Sequence, residues 1–72
     1  MNMSQIITRE MEVKGITAYK LSQITGLSQG LIGYYKTGKR DPSSSNLLKI
    51  ADALNVSVDY LLGRTDKPEI NR

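Results

Sequence analysis

Apolar residues along the chain recur every three or four positions, and glycines and prolines separate the segments in which they do so. Met3, Ile7 and Met11 lie at helical spacing and predict a first helix over Ser4 to Lys14 that ends at Gly15. Four later segments repeat this spacing, and none alternates apolar and polar residues as a strand does. The pattern predicts an all-α fold of five short helices.

Polar residues just before each later apolar segment indicate where the other four helices begin. Ser and Thr side chains accept hydrogen bonds from the first free N–H groups of a helix, so they are favoured at its N-cap. The expected caps are Thr17, Ser28, the serine run 43–45 and Ser57. Gly26 then ends the second helix, the third runs to about Lys36, and Gly63 ends the fifth.

The predicted core consists of apolar residues on the inner faces of these helices. They are Ile7, Met11, Ile16, Leu21, Leu27, Ile32, Tyr35, Leu47, Ile50, Ala51, Leu54, Val56, Leu61 and Leu62. Ile24 and Thr25 follow Leu21 at i+3 and i+4, and Val58 is expected to complete the core from the fifth helix. We predict one domain over residues 4–62, followed by a short polar tail, 63–72, that frays.

The composition excludes several classes of function. The chain contains neither Cys nor His, so the commonest metal ligand and the commonest general base are both missing. We expect no enzyme activity, no catalytic residues, no metal, no cofactor and no small-molecule ligand. No apolar run approaches the roughly 20 residues that span a bilayer, and the N-terminus lacks a secretory signal, so we expect a cytoplasmic protein without a membrane partner.

The positive charge of the chain is concentrated in one segment. The formal net charge is +3, but residues 13–40 carry five cations (Lys14, Lys20, Lys36, Lys39 and Arg40) and no acid. Such a block is typical of a face that binds phosphate groups. A lysine-rich, solvated surface of no particular function is the alternative, and charge alone does not separate the two.

Residues 17–37 have the features of a helix-turn-helix unit. Two helices of about two turns each flank Thr25, Gly26 and Leu27, a short turn with a glycine that tolerates positive φ. Ser22 supplies the small side chain that a close helix crossing requires.

The outward face of the third helix follows from its inward residues, Ile32 and Tyr35. That face consists of Gln29, Gly30, Gly33, Tyr34 and Thr37. It carries no acid, and a Gln in the major groove of B-form DNA is able to make a bidentate contact to adenine. We therefore predict DNA base contacts from Gln29, Gly30, Gly33 and Tyr34. Leu31, beside this face, either contacts a thymine methyl group or packs at its edge.

Phosphate contacts are expected from polar residues around the third helix and from helix N-termini, whose free N–H groups attract anions. The candidates are Thr17, Ala18, Ser28, Thr37, Lys39, Arg40 and Ser44.

Several of these segments together resemble the Cro/cI-type (XRE-like) helix-turn-helix regulators of phages and bacteria. The resemblance covers about residues 7–62 and rests on the runs 16–17, 21–22, 25–29, 38–43, 47–57 and 60–62, with Ile32 between them. It implies a five-helix, lambda-repressor-like DNA-binding domain. It also implies a recognition helix that starts at Ser28 and binds an operator, usually as a dimer on a pseudo-palindrome.

The chain departs from the family pattern at several positions. Ala18 stands where the family usually has Gln or a similar side chain that contacts phosphate, which leaves only its backbone N–H. Met11 and Lys36 occupy the positions of a frequent Arg–Glu pair. Gly30 and Gly33 replace long polar residues that read bases, and each glycine costs roughly 1 kcal/mol of helix stability relative to Ala.

These observations predict a sequence-specific, double-stranded DNA-binding transcriptional regulator, a repressor of phage or bacterial type. An antitoxin-like or scaffolding module that uses the same fold to bind protein is the alternative. We expect a homodimer whose interface lies at the apolar edge of the last helix, around Val58, Tyr60 and Leu62. Only about ten residues follow that helix, which favours a regulator of Cro size without a second domain.

Overall fold

The computed structural model describes residues 1–70, and these contain five α-helices and no strand. The helices are α1 (Met3–Lys14), α2 (Ala18–Thr25), α3 (Gln29–Thr37), α4 (Ser44–Leu54) and α5 (Val58–Leu61). The all-α, five-helix prediction is therefore confirmed, and each predicted start lies within about one residue of the observed one.

Hydroxyl side chains begin four of the five helices, as the sequence predicted. Each accepts a hydrogen bond from the backbone N–H three residues further on: Thr17 from Lys20, Ser28 from Leu31, Ser43 from Asn46, and Ser57 from Tyr60. The cap of α1, which the sequence reading did not identify, is Asn2. Its side chain accepts from the Gln5 N–H at 2.9 Å while the Gln5 side chain accepts from the Asn2 N–H at 3.0 Å, so the two form a reciprocal capping box.

The core lies where α1 crosses α3, α4 and α5, and where α2 packs on α3 and α4. Its buried apolar residues are Ile6, Ile7, Met11, Leu21, Ile32, Tyr35, Leu47, Ile50, Ala51, Leu54, Val56, Tyr60 and Leu61. Eleven of the fourteen predicted core residues are in this set. Ile16 and Leu27 are only partly buried at its edge, as is Val58.

Some inward assignments were wrong. Leu62 is 45% exposed and Ile24 is 50% exposed, whereas Ile6 and Tyr60 are buried. Tyr60 was expected at an exposed edge, but it packs into the core and its hydroxyl accepts a hydrogen bond from Arg9 Nη2 at 3.3 Å. Tyr60 and Leu62 were assigned to the wrong sides because α5 is a single turn, which is too short for periodicity to define its inner face.

One acid is buried in the apolar interior. Glu10 is only 7% exposed, and its Oε1 lies 3.4 Å from the Nζ of Lys14, one helical turn further along α1. Lys14 Nζ also donates to the carbonyl of Leu54, the last residue of α4. A buried charge is costly without a partner, so Lys14 both neutralises Glu10 and satisfies the carboxyl end of α4.

The described part of the polar tail packs back on the domain, whereas the sequence predicted a frayed end. The Ser57 N–H donates to the Pro68 carbonyl at 2.9 Å, and Ile70 is half-buried near Leu48 and Val58. The tail thus returns along the α4–α5 connection. Residues 71–72, which the sequence reading assigned to the same tail, lie outside the described residues. Within residues 1–70, no helix has the length and apolar character to cross a membrane.

Candidate nucleic-acid interface

The turn between α2 and α3 is closed by side-chain hydrogen bonds. Ser22 Oγ donates to the Leu27 carbonyl at 2.5 Å, which joins α2 to the residue before the cap of α3. Thr25 Oγ1 donates to the Leu21 carbonyl at 2.7 Å and accepts from the Leu27 N–H at 3.2 Å. Gly26 takes the positive φ of 77° that the turn requires. Ser22 is thus the small contact residue that the sequence predicted, and it also fixes the turn.

The inner side of α3 holds this helix to the rest of the domain. Ile32 is fully buried and Tyr35 is 3% exposed. The Tyr35 hydroxyl accepts a hydrogen bond from Asn46 Nδ2 at 3.0 Å, which ties α3 to α4. Thr8 Oγ1, on α1, donates to the Ser4 carbonyl of its own helix at 2.8 Å and shares this hydrogen with the Lys36 carbonyl of α3 at 3.3 Å. With two neighbouring helices bonded to it, α3 presents its opposite side to solvent in a defined orientation.

The opposite side of α3 consists of the residues that the sequence reading assigned to bases. Gln29 and Gly30 are exposed, Gly33 is half-buried, and Tyr34 is 45% exposed. An added Cβ at Gly30 or Gly33 would find nothing within 4 Å, so packing inside the protein does not require either glycine. Leu31 is partly buried against the core, which favours packing over contact with a thymine methyl group.

Two cations gather around one aromatic ring at the end of α3. Lys39 Nζ lies 5.7 Å from the centroid of the Tyr34 ring, and Arg40 Cζ lies 5.8 Å from it. Both distances are within the range of cation–π attraction. Tyr34 of the base face therefore lies next to the turn that carries the predicted phosphate contacts.

The remaining phosphate candidates lie at helix ends. Thr17 and Ser28 are exposed caps, and their hydroxyls act as acceptors in the cap, so their hydrogens are free to donate to an anion. Ala18 and Ser44 are the first residues of α2 and α4, where backbone N–H groups have no intrahelical acceptor. Thr37, at the end of α3, differs because its hydroxyl donates to the Gly33 carbonyl at 3.1 Å.

The cationic side chains around the exposed side of α3 form no ion pair within the described residues. The ion pairs described within residues 1–70 are Glu10–Lys14 and Asp59–Arg64. Neither pair involves α3 or the turns on either side of it. Lys20, Lys39 and Arg40 are exposed. No acid occurs in residues 13–40 and only Asp41 follows Arg40 directly, so positive charge predominates at this surface.

Two residues of α2 were missed by the sequence reading. Tyr19 is 58% exposed, and its hydroxyl accepts a hydrogen bond from Gln23 Nε2 at 2.9 Å, one turn further on. The phenolic hydrogen remains free to donate. Their i, i+4 spacing beside the inward Leu21 was the available signal.

In the described part of the chain, no group of three or more acids, cysteines or histidines is placed to hold a metal ion.

Comparison with known families supports the helix-turn-helix interpretation. The sequence pattern of the family described as "Helix-turn-helix" matches residues 9–61. The chain is 27% identical over 71 residues to the HTH-type transcriptional regulator ImmR of Bacillus subtilis (strain 168). It is 31% identical over 64 residues to the cryptic phage CTXphi transcriptional repressor RstR of Vibrio cholerae serotype O1. These alignments cover 99% and 89% of the chain, but it spans only about half the length of these curated relatives (56% and 57%).

The fold is similar to that of a solved repressor. The crystal structure of the P22 c2 repressor protein in complex with synthetic operator 9T superposes with a TM-score of 0.82 and 29% identity, over 86% of this chain and 94% of that chain. The predicted lambda-repressor-like fold and the family resemblance are thereby confirmed. The matches are to regulators and repressors, in agreement with a binding protein rather than an enzyme.

Proposed function

This chain belongs to the helix-turn-helix family, and from that premise we propose that it is a sequence-specific, double-stranded DNA-binding transcriptional regulator of the phage or bacterial repressor type. The observation that carries the proposal is the exposed, acid-free side of α3, which is held in a fixed orientation by bonds to α1 and α4 and by the bond that closes the turn between α2 and α3. We assign the DNA-binding unit to residues 17–37, within a domain over residues 4–62.

The recognition helix of this proposal is α3, which enters the major groove with its exposed side toward the bases. Gln29 makes a bidentate contact to an adenine, and Tyr34 contributes its hydroxyl to a neighbouring base. Gly30 and Gly33 have no side chain to read a base, so they contribute by letting the helix backbone approach the groove closely.

Backbone phosphates on either side of the groove are bound by the surrounding cations and helix ends. Lys39 and Arg40 lie just beyond the last turn of α3, and the N-termini of α2 and α4 supply N–H donors at Ala18 and Ser44. Thr17 and Ser28 add hydroxyl donors, while Thr37 contacts phosphate only if its hydroxyl leaves the Gly33 carbonyl. Such contacts set position and affinity but not sequence preference.

We propose further that the protein acts as a homodimer on a pseudo-palindromic operator in the cytoplasm, since one recognition helix reads only a few base pairs. The exposed apolar residue at the end of α5 is Leu62, with Val58 half-buried beside it. Tyr60 is buried and is therefore not available to the predicted dimer interface. A Leu62→Lys variant is expected to shift the sedimentation profile toward monomer. An unchanged profile would place the interface elsewhere or contradict the dimer.

The salt dependence of duplex binding tests the proposal directly. If about five phosphates are neutralised, the logarithm of the association constant falls with the logarithm of salt concentration at a slope near −0.9 per contact. Lys39→Ala is expected to make this slope shallower by about one contact. Lys67→Ala removes the same charge from the tail and serves as the matched control. A flat salt response in the wild type would instead favour a protein-binding module.

Sequence preference is tested by selecting bound sequences from random duplex DNA. A two-fold symmetric consensus is the expected result. Gln29→Ala is expected to relax preference at one base position in each half-site by about 1–3 kcal/mol. Lys39→Ala is expected to weaken binding to all sequences alike. Equal binding of every sequence by the wild type would contradict sequence-specific recognition.

A further inference from the structure

Tyr34 is connected to the turn after α3 through its backbone as well as its ring. Its carbonyl oxygen accepts hydrogen bonds from the N–H groups of Lys39 at 3.0 Å and of Arg40 at 3.4 Å. The Gly38 N–H, which ends the helix with φ 78°, also bonds to this carbonyl. The backbone of the turn is therefore fixed relative to Tyr34, and both cationic side chains begin from a defined position.

The side chains of Lys39 and Arg40 also lie close to Tyr34, over its ring. Lys39 Nζ and Arg40 Cζ lie 5.7 and 5.8 Å from the ring centroid of Tyr34, although both side chains are long, exposed and free to extend into solvent. A long cationic side chain that is held in one place loses rotamer freedom in advance of binding, which reduces the entropy that binding an anion would otherwise cost.

The arrangement brings two like charges together. Both lie within 6 Å of one centroid, so the two like charges are at most about 12 Å apart and repel each other weakly, because both side chains are exposed to the screening solvent. The ion pairs described in residues 1–70 do not involve either residue. A phosphate group bound by both side chains relieves this repulsion through charge-assisted hydrogen bonds.

We propose that Tyr34 is a positioning residue whose ring holds Lys39 and Arg40 as a preformed two-cation clamp for a backbone phosphate of duplex DNA. The inference rests on the proposed function and deepens it, because the phenolic ring acts on DNA through the two cations. The hydroxyl is not required for this role. Phosphate affinity and any base contact of Tyr34 are thus separable.

The first test measures the clamp in the free protein. Ring currents of Tyr34 are expected to shift the NMR resonances of the side-chain protons of Lys39 and Arg40. Tyr34→Phe retains these shifts, and Tyr34→Leu removes them while the thermal melting profile stays unchanged, since the side chain is 45% exposed. Side-chain shifts that are identical in the wild type and Tyr34→Leu would overturn the clamp without any reference to DNA.

The second test measures binding to a mixed-sequence DNA duplex, which isolates the phosphate contribution. Tyr34→Leu is expected to weaken binding about 2- to 5-fold, as for a loss of one exposed cation–π interaction, and to make the salt slope shallower. Tyr34→Phe removes only the hydroxyl that is proposed to contact a base, so it is expected to keep the wild-type salt slope and to lose less affinity for this duplex than Tyr34→Leu. In a Lys39→Ala, Arg40→Ala background, Tyr34→Leu is expected to cause no further loss, because the side chains that the ring positions are gone.

Three results would overturn the inference. Equal losses in Tyr34→Phe and Tyr34→Leu would assign the effect to the hydroxyl. A loss that persists in the doubly substituted background would mean that the ring contacts DNA directly. Wild-type affinity in Tyr34→Leu would mean that the ring does nothing for binding. Failure of the wild type itself to bind duplex DNA is a different result and contradicts the proposed function.

Discussion

Helices α3 and α4 follow each other along the chain and are nine and eleven residues long, yet they contribute to the protein in different ways. α4 buries Leu47, Ile50, Ala51 and Leu54 and contains no glycine. α3 buries only Ile32 and Tyr35, and its exposed side carries two glycines that no internal contact requires. The difference indicates that the sequence of α4 is determined by packing inside the protein. In α3, two buried residues hold the helix in place, and its other side is free to contact a partner.

The largest expected effect concerns the packing of α4. Leu54 is fully buried, so Leu54→Ala is expected to lower the free energy of unfolding by about 2–5 kcal/mol, measured by urea denaturation. Leu48→Ala is the matched control, because Leu48 lies on the same helix and is 53% exposed; it is expected to change stability by less than about 0.5 kcal/mol. Similar losses in both variants would show that α4 is not anchored on one side.

A smaller loss is expected where α1 closes the carboxyl end of α4. Lys14→Met leaves the carboxylate of Glu10 and the carbonyl of Leu54 without their described partner, and is expected to cost about 1–3 kcal/mol of stability. Lys49→Met, at an exposed position within α4, is the control and is expected to be nearly neutral. If the two lysines prove equivalent in thermal melts, the buried pair contributes nothing.

The smallest effect on stability is a gain and concerns the exposed side of α3. Gly30→Ala and Gly33→Ala are each expected to stabilise the protein by about 0.5–1 kcal/mol, because the backbone is helical and the space beside it is open. Both are expected to weaken binding to the selected DNA sequence, since the added methyl group prevents close approach. Gly15→Ala, where φ is +66°, is the contrasting control and is expected to destabilise. Stabilised variants with unchanged DNA affinity would contradict close approach.

Much of the fold was predictable because the signals that define these helices are local. A hydroxyl side chain bonds to the backbone three residues ahead, and Gly26 ends α2 through its own φ, so Thr17, Ser28 and Ser57 were identified without knowledge of the tertiary structure. The exposed side of α3 followed from the same reasoning, because only Ile32 and Tyr35 had to be turned inward.

Residues that depend on several neighbours were not predictable in this way. α1 contacts three helices, so its buried side is wider than the stripe of Ile7 and Met11 and also includes Ile6 and Glu10. Tyr60 is buried by packing and by a bond to Arg9, 51 residues earlier in the chain. The cation–π arrangement at Tyr34 likewise depends on the path of the turn after α3, which local spacing does not define.

The hydrogen bond from Ser22 to the Leu27 carbonyl has a consequence for the kinetics of binding. Because the angle between α2 and α3 is set before any encounter, association is expected to proceed as rigid docking guided by long-range attraction to the phosphates. Differences between operators would then lie chiefly in how long the complex survives. Ser22→Ala, which leaves that angle loose, is expected to slow productive docking without altering any group that contacts DNA.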